Sequence, residues 1–211
     1  MNVFTKIRDF FRSLFQRKTA SETGAPAVRQ PYVPTEIEPA VKQRVFHSVI
    51  FKDPFGNLTL THEIDRIIVR RNGVFCIEDK DWKGHIYGFE DDSHWRQVLG
   101  NGRIVHSHPS PIRQNETHKD VLEEIIDGKE NDYVIPVVVM AENNSPLRSS
   151  EKVINAEDLE RFMRTHSSFD PELDDEDFEG LCQIIESTDR SSTISLDEHV
   201  RNIRSNHPGR Y

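Results

Sequence analysis

The chain has 211 residues, enough for one domain of ordinary size with added helices and too few for two full cores. Its residues are 35% hydrophobic and 30% charged, and its formal net charge of −9 excludes a protein that coats nucleic acid through bulk electrostatics, though not one that acts on a phosphate through a local field. The two cysteines, Cys76 and Cys182, have no partner at metal-like spacing, so nothing points to a disulfide framework and a reducing cytoplasm is the expected compartment.

Residues 1–18 place Phe4, Ile7, Phe11, Leu14 and Phe15 at helical spacing among Lys6, Arg8, Arg12, Arg17 and Lys18, with Asp9 as the single acid. This predicts a basic amphipathic helix, too short and too charged to span a bilayer. Its apolar stripe suits an anionic membrane surface, which would put the chain peripherally at the inner membrane face, or a protein contact with the domain or with a second copy in a homodimer. Residues 19–34, with their prolines and small polar residues, read as a linker to a core over 35–150. Within that core, 36–47 reads as a short helix with Pro39 in its first turn, leading into a strand over 48–51. A turn at 53–57, DPFGN, precedes an extended piece at 58–61.

Two arms, 64–70 and 74–80, then flank Asn72-Gly73, the dipeptide favoured at the centre of a two-residue type I′ turn. With those two residues central, Arg71 faces Val74, and counting outward pairs Ile67 with Glu78, Arg66 with Asp79 and Asp65 with Lys80. Paired residues share a face, as do residues two apart along a strand. Asp65, Glu78 and Lys80 therefore converge on one side, neighbouring Cβ atoms being roughly 5–8 Å apart. Ile64, Ile68, Phe75 and Ile77 go to the other side with Arg66 and Asp79, which can pair with each other. A solvated surface hairpin accounts for an isolated D…ExK match. Two acids directed inward instead repel each other, and a divalent cation removes the conflict. Mg²⁺, or Mn²⁺ in its place, prefers oxygen, keeps several waters and takes one or two carboxylates. Asp65 and Glu78 suit it, the Asp79 carbonyl offers a third oxygen, and Lys80 stands beside it to orient a water.

Further along, 85–89 is expected to continue the sheet, and 95–99 with 103–106 to form a strand pair around Gly100-Asn101-Gly102. The run His106-Ser107-His108-Pro109, followed by Thr117 and Asp120, resembles the JAMM zinc-protease motif, but its Ser and Asp should fall one position earlier, where Glu116 and Lys119 stand. On a helix that slip turns a ligand by about 100°. The plainer reading puts both histidines on a loop near the cleft of the hairpin. Ser110 reads as an N-cap with Pro111 at the first helical position, Gln114 in the first turn, and an apolar stripe of His118, Val121, Leu122, Ile125 and Ile126. Residues 134–140 form an unbroken apolar run, as in a strand buried on both faces. Beyond 150 the chain turns acidic and helical: Asn155 is the expected cap of a helix to Arg164, Pro171 opens another toward Ile185, and Ser195 caps a last one to Arg204. This region, 151–211, is expected to pack on the core, with the acids at 174–177 on a solvated face.

The stretch EIDRIIVRRNGVFCIEDKDWKGHIYG, then Trp95, then SPIRQNETHKDVLEEII and VIPVVVM, resembles the nuclease-related domain (NERD) family of the PD-(D/E)xK nucleases over residues 47–143. The resemblance implies an α/β fold, a restriction-endonuclease-like mixed sheet flanked by helices. It also implies that the metal-binding acids are Asp65 and Glu78, the catalytic lysine Lys80 and the downstream glutamine Gln114. Where the family shows IExK followed by Asn or similar, this chain reads IEDKD, and the family's upstream Gly-Glu pair has only Glu36 or Glu38 as a counterpart. The implied activity is Mg²⁺-dependent hydrolysis of a nucleic-acid phosphodiester, DNA ahead of RNA, with weak affinity for the polyanion given the acidic balance. The other readings are a nuclease-fold binding or assembly module without turnover, membrane-associated or not through residues 1–18, and, remotely, the JAMM-like zinc protease on His106 and His108.

Overall fold

The computed structural model describes residues 41–57, 59–100, 102–127, 132–147 and 150–206, so the expected helix at 1–18, the linker at 19–34 and the acids Glu36 and Glu38 lie outside the described residues. The chain divides into two units, Met1–Lys42 and Gln43–Tyr211, and the architecture below belongs to the second.

In chain order its elements are β1 (Gln43–Lys52), β2 (Thr61–Arg70), β3 (Gly73–Lys80), β4 (His85–Tyr87), β5 (His94–Leu99), β6 (Ile104–Pro109), α1 (Pro111–Asp127), β7 (Val134–Met140), β8 (Val153–Asn155), a 3-10 turn (Ala156–Asp158), α2 (Leu159–Thr165), α3 (Asp175–Thr188) and α4 (Leu196–Asn206). Five strands form one sheet in the order β1-β2-β3-β7-β8, and β4-β5-β6 form a second. The first sheet is mixed: β1, β2 and β3 run antiparallel, while β3, β7 and β8 run parallel, the crossover from β3 to β7 passing through the small sheet and α1. Parallel strands need such a crossover, and burial on both faces explains the unbroken apolar run of β7. Pro136 is tolerated there because β8 pairs only with Val138, Val139 and Met140, leaving β7 an edge at the proline.

Several expectations are corrected. The segment expected to be helical up to His47 is strand from Gln43 on; its alternating exposure over 43–46 follows a period of two. The hairpin closes with Arg70 opposite Gly73, so Arg71 and Asn72 occupy the turn. None of Arg71, Asn72 and Gly73 has positive φ, so the turn is not type I′. Tertiary contacts take precedence at Asn72: its side-chain amide donates to the carbonyls of Met163 (2.8 Å) and His166 (2.7 Å), and its own carbonyl accepts from Ser167 and Ser168. The whole register moves by two residues, to Ile67 opposite Cys76 and Arg66 opposite Ile77. A shift of two leaves every side chain on its original face.

Residues expected to extend the main sheet after Gly84 instead start the small sheet. Gly84 makes that departure, with φ 84° and so little room that a Cβ would meet the Val98 carbonyl oxygen at 2.5 Å. The region after 150 contributes the strand β8 as well as helices. Asn155 accepts from the Ser145 N–H instead of capping, and the second of the late helices begins not at Pro171 but at Asp175, capped by Asp174 through the Asp177 N–H. Ser195 does cap α4, accepting from the Glu198 N–H. Asp175 pairs with Arg71.

One face of the main sheet packs Ile68, Phe75, Ile77, Val137 and Val139 against Phe162 and Met163 of α2. On the opposite face Val138, Met140 and Val153 meet Ile112 of α1 and Ile86 and Trp95 of the small sheet. Arg66 and Asp79, on the α2 side, form the expected ion pair at 2.7 Å. Since Asn72 ties the hairpin to the end of α2 through two part-buried hydrogen bonds, Asn72→Ala should destabilise the fold by about 1–3 kcal/mol, read as a lower urea midpoint at unchanged slope. An unchanged midpoint would show that the backbone contacts alone hold the turn.

Candidate functional site

Asp65 on β2 and Glu78 and Lys80 on β3 lie on the face covered by α1. The sheet is irregular at this level on both sides of β2. The ladder to β3 runs only as far as Arg66 opposite Ile77, and in β1 Ser48, with φ 49°, drops out between the pairs His47–Arg66 and Val49–Ile64. Freed from the ladder, Asp65 turns its carboxylate to the neighbouring strand, where Oδ2 accepts the Asp79 N–H at 2.9 Å.

Glu78 is only 1% exposed. Its Oε1 accepts from Lys80 Nζ, which also donates to Gln114 Oε1 at 3.2 Å. From the next turn of α1, His118 brings Nδ1 to 3.2 Å from Glu78 Oε2, within ion-pair distance but without hydrogen-bond alignment, so both buried atoms remain unbonded. The sequence places Gln114 and His118 four apart on one helical face, a spacing that could have revealed His118 as a site residue instead of part of the apolar stripe. Asn115 was likewise overlooked. Buried beside them, it donates to the Cys76 carbonyl at 3.0 Å and accepts the Cys76 thiol at 3.3 Å. Ser110 stands at the expected start of α1 and its carbonyl accepts the Gln114 N–H, while its buried hydroxyl makes no capping bond.

The charges do not balance. Burial, and next the Glu78 carboxylate, push the Asp65 carboxyl above its ordinary value. Burial acts upward on Glu78 too, but His118 and Lys80 outweigh it and hold that carboxyl below its ordinary value. Burial, with Glu78 and Asp65 adding to it, pushes the Cys76 thiol well up, so this cysteine is neutral and inert. The result is a pair of carboxylates, one resisting ionisation and the other with an unbonded buried oxygen. Two hard oxygen donors, one of them held back from ionising by burial and by the other, fit Mg²⁺ or Mn²⁺, which would complete its shell with water, better than they fit zinc.

His106 and His108 are on strand β6 instead of a loop. His108 Nε2 lies 3.1 Å from Gln97 Oε1, and its ring stacks on Trp82 with centroids 4.4 Å apart. Thr117 is turned to the Arg113 carbonyl. Among the described residues no three His, Cys, Asp or Glu side chains gather as a catalytic zinc requires, so the HSHP run is not completed into a zinc-protease site.

The raised Asp65 pKa means that the folded chain holds this proton more tightly than the unfolded one. Its contribution to stability is therefore present below the ordinary aspartate value, about 3.9, and is lost as pH rises through the raised one. Asp65→Asn keeps an acceptor for the Asp79 N–H and removes the charge. In EDTA at neutral pH it should raise the thermal midpoint by a few degrees, with the gain vanishing in acid; a lowered midpoint at pH 7 would mean that Lys80 and His118 already compensate both acids.

A family model described as the nuclease-related domain, NERD, matches residues 33–141, which include β1 to β7 and all of Asp65, Glu78, Lys80, Gln114 and His118. An uncharacterized protein of Bacillus anthracis is 33% identical over 97 residues, a stretch covering 46% of this chain and 41% of the relative. The match thus spans about two fifths of that relative's length. No solved structure matches the chain. With a match over more than half its length that takes in the whole carboxylate–lysine–glutamine cluster, the chain belongs to the nuclease-related domain family.

Proposed function

We propose that this protein is a metal-dependent nuclease that hydrolyses a phosphodiester of nucleic acid, with DNA as the expected substrate. The observation that carries the reading is the common face of Asp65, Glu78 and Lys80, closed from above by Gln114, with Lys80 Nζ held between Glu78 and Gln114. Asp65 and Glu78 would hold Mg²⁺ or Mn²⁺. Such a cation supplies Lewis-acid activation of water and neutralises charge on the phosphoryl oxygens.

The remaining work belongs to the chain. Lys80 carries three donors on one ammonium; two point to Glu78 and Gln114, which aims the third toward the position of an attacking water and of the charge that develops on phosphorus. Gln114 anchors Lys80 through Oε1, leaving its amide nitrogen as the end directed at water or a phosphate oxygen. His118 stands 3.2 Å from the far oxygen of Glu78, close enough to favour its charge, while Lys80 fixes the near one before substrate arrives. Gln114 also sits in the first turn of α1, where the helix presents its positive end to an anionic substrate.

A second reading, a binding or assembly module without turnover, draws on one feature of the same site: Glu78 already has two basic neighbours, so its charge is offset without a cation. Among the described residues no helix is long and apolar enough to cross a membrane. A membrane or protein contact through residues 1–18 remains a separate proposal, which liposome flotation with and without those residues would test.

Glu78→Ala and Lys80→Ala should each reduce Mg²⁺-dependent cleavage of DNA by about 10²-fold or more, measured on linear, circular and single-stranded substrates against EDTA controls. A Lys80→Ala protein that cuts as well as the parent defeats the mechanism. Absence of cleavage by the parent with either Mg²⁺ or Mn²⁺, binding being intact, leaves the module. Independently of activity, Mg²⁺ should raise the thermal midpoint of the parent and leave that of Asp65→Asn nearly unmoved.

A further inference from the structure

A row of rings leads away from Lys80. Its ammonium lies 5.6 Å from the centre of the Trp82 ring, Trp82 stacks on His108 at 4.4 Å and 21°, and His106 follows at 6.1 Å from His108. Trp82 and His108 are half-buried and His106 is exposed, so the row runs from the edge of the carboxylate site out to solvent. Trp82 follows β3 in the chain, and both histidines come from β6. In the small sheet Trp95 pairs with His108 and Gln97 with His106, which puts both imidazoles on one face of that sheet. Trp95 and Ile86 fill the core beneath this face, and Gln97, bonded to the Lys83 carbonyl and to His108, holds the second ring upright. Burial, together with His106 and Lys80 nearby, holds the His108 imidazole below its ordinary value, so the ring is neutral at pH 7 and stacks as an aromatic.

The charge around this row is unlike that of the rest of the chain. Against 36 acidic and 27 basic residues overall, the segment 93–115 contains no Asp or Glu and carries Arg96, Arg103 and Arg113 with His94, His106 and His108. A row of rings that begins at the lysine of the site and continues on a segment without carboxylates, Asp81 beside Trp82 being the exposed acid at its start, suits a polyanion with exposed π-faces. Bases inside a duplex are covered by their neighbours and have no free face to offer, whereas unpaired bases stack on aromatic side chains at little cost in sequence preference.

We infer that Trp82, His108 and His106 form a track for the unpaired bases next to the scissile phosphate, and that the site acts on single-stranded nucleic acid in preference to duplex. This rests on the nuclease reading for its scissile phosphate, but the track itself is a binding surface and can be tested without turnover.

The test uses the full chain in EDTA at low ionic strength, with a labelled oligothymidylate and a blunt duplex of equal length, followed by anisotropy and by intrinsic tryptophan emission. Of the two tryptophans, Trp95 is 0% exposed, so quenching by the bound strand reports on Trp82. The single strand should bind at least about tenfold more tightly than the duplex and quench the emission. His106→Ala, a change at an exposed position, should weaken single-strand binding by roughly tenfold, about the loss of one stacked base, and leave the duplex unaffected. Trp82→Phe should keep most of the affinity and lose the quenching. Equal or tighter binding of the duplex, no binding of either oligonucleotide, or parental single-strand affinity in His106→Ala overturns the track. Single-strand binding of the expected kind without cleavage in Mg²⁺ or Mn²⁺ would sustain the track and sink the nuclease reading; cleavage with no single-strand preference would do the reverse.

Discussion

The arrangement depends on keeping one buried carboxylate charged. Glu78 has almost no contact with water, and an unpaired charge in such a place costs several kcal/mol. Lys80 from its own strand and His118 from α1 approach its two oxygens. This fixes the angle at which α1 lies on the sheet, because the helix must bring Gln114 to the lysine and His118 to the carboxylate in successive turns. Asn115, between them, completes the docking through the Cys76 carbonyl and thiol. The helix is thus tied to β3 by polar contacts at three adjacent levels, and the strand cannot shift in register without breaking all of them.

A matched gradient runs along the two elements. The β2–β3 face under α1 is apolar near the hairpin turn, with Ile67, Val69, Val74 and Cys76 buried, and polar at the far end, where Asp65, Glu78 and Lys80 stand. The helix follows the same order in reverse: Gln114, Asn115 and His118 in its first half, then Val121, Leu122, Ile125 and Ile126. Apolar burial at one end carries the stability of the contact, and the other end is left free to hold charge. This division lets Asp65 remain in a state that burial opposes. Unfavourable polar groups persist where the surrounding structure is determined by something else.

Much of this was legible in the residues, for a reason that survives an error. Taking Asn72-Gly73 as the turn placed the hairpin two residues out of register, yet faces alternate with period two, so Asp65, Glu78 and Lys80 still shared a side. An error of one residue would have separated them. What the residues did not reveal is set by long-range contact. Asn72 leaves its local preference because the end of α2 takes its amide, and the strand at Gln43–Lys52 forms because β2 offers it an edge. The role of His118 was masked by its place in an apolar stripe, where a histidine reads as core, and Trp82 was masked because its partner, His108, comes from a distant strand of the small sheet.

The acidic balance of the chain weighs against the proposed work on a polyanion, and the distribution of its charges lessens that weight. Interactions between exposed charges fade beyond roughly 10 Å at moderate salt, so for the proposed substrate the charges nearest Lys80 matter more than the total over the chain. Several acids of the late helices are also already engaged: Glu160 pairs with Arg70, Asp175 with Arg71, and Glu179 and Glu186 with Arg44. Each of these ties a helix to the hairpin strands or to β1, so part of the negative charge that raises the formal total serves to dock α2 and α3 on the sheet. Net charge then describes in part how the molecule is assembled, while the absence of carboxylates between Asp92 and Glu116 describes the surface on which the proposed track relies.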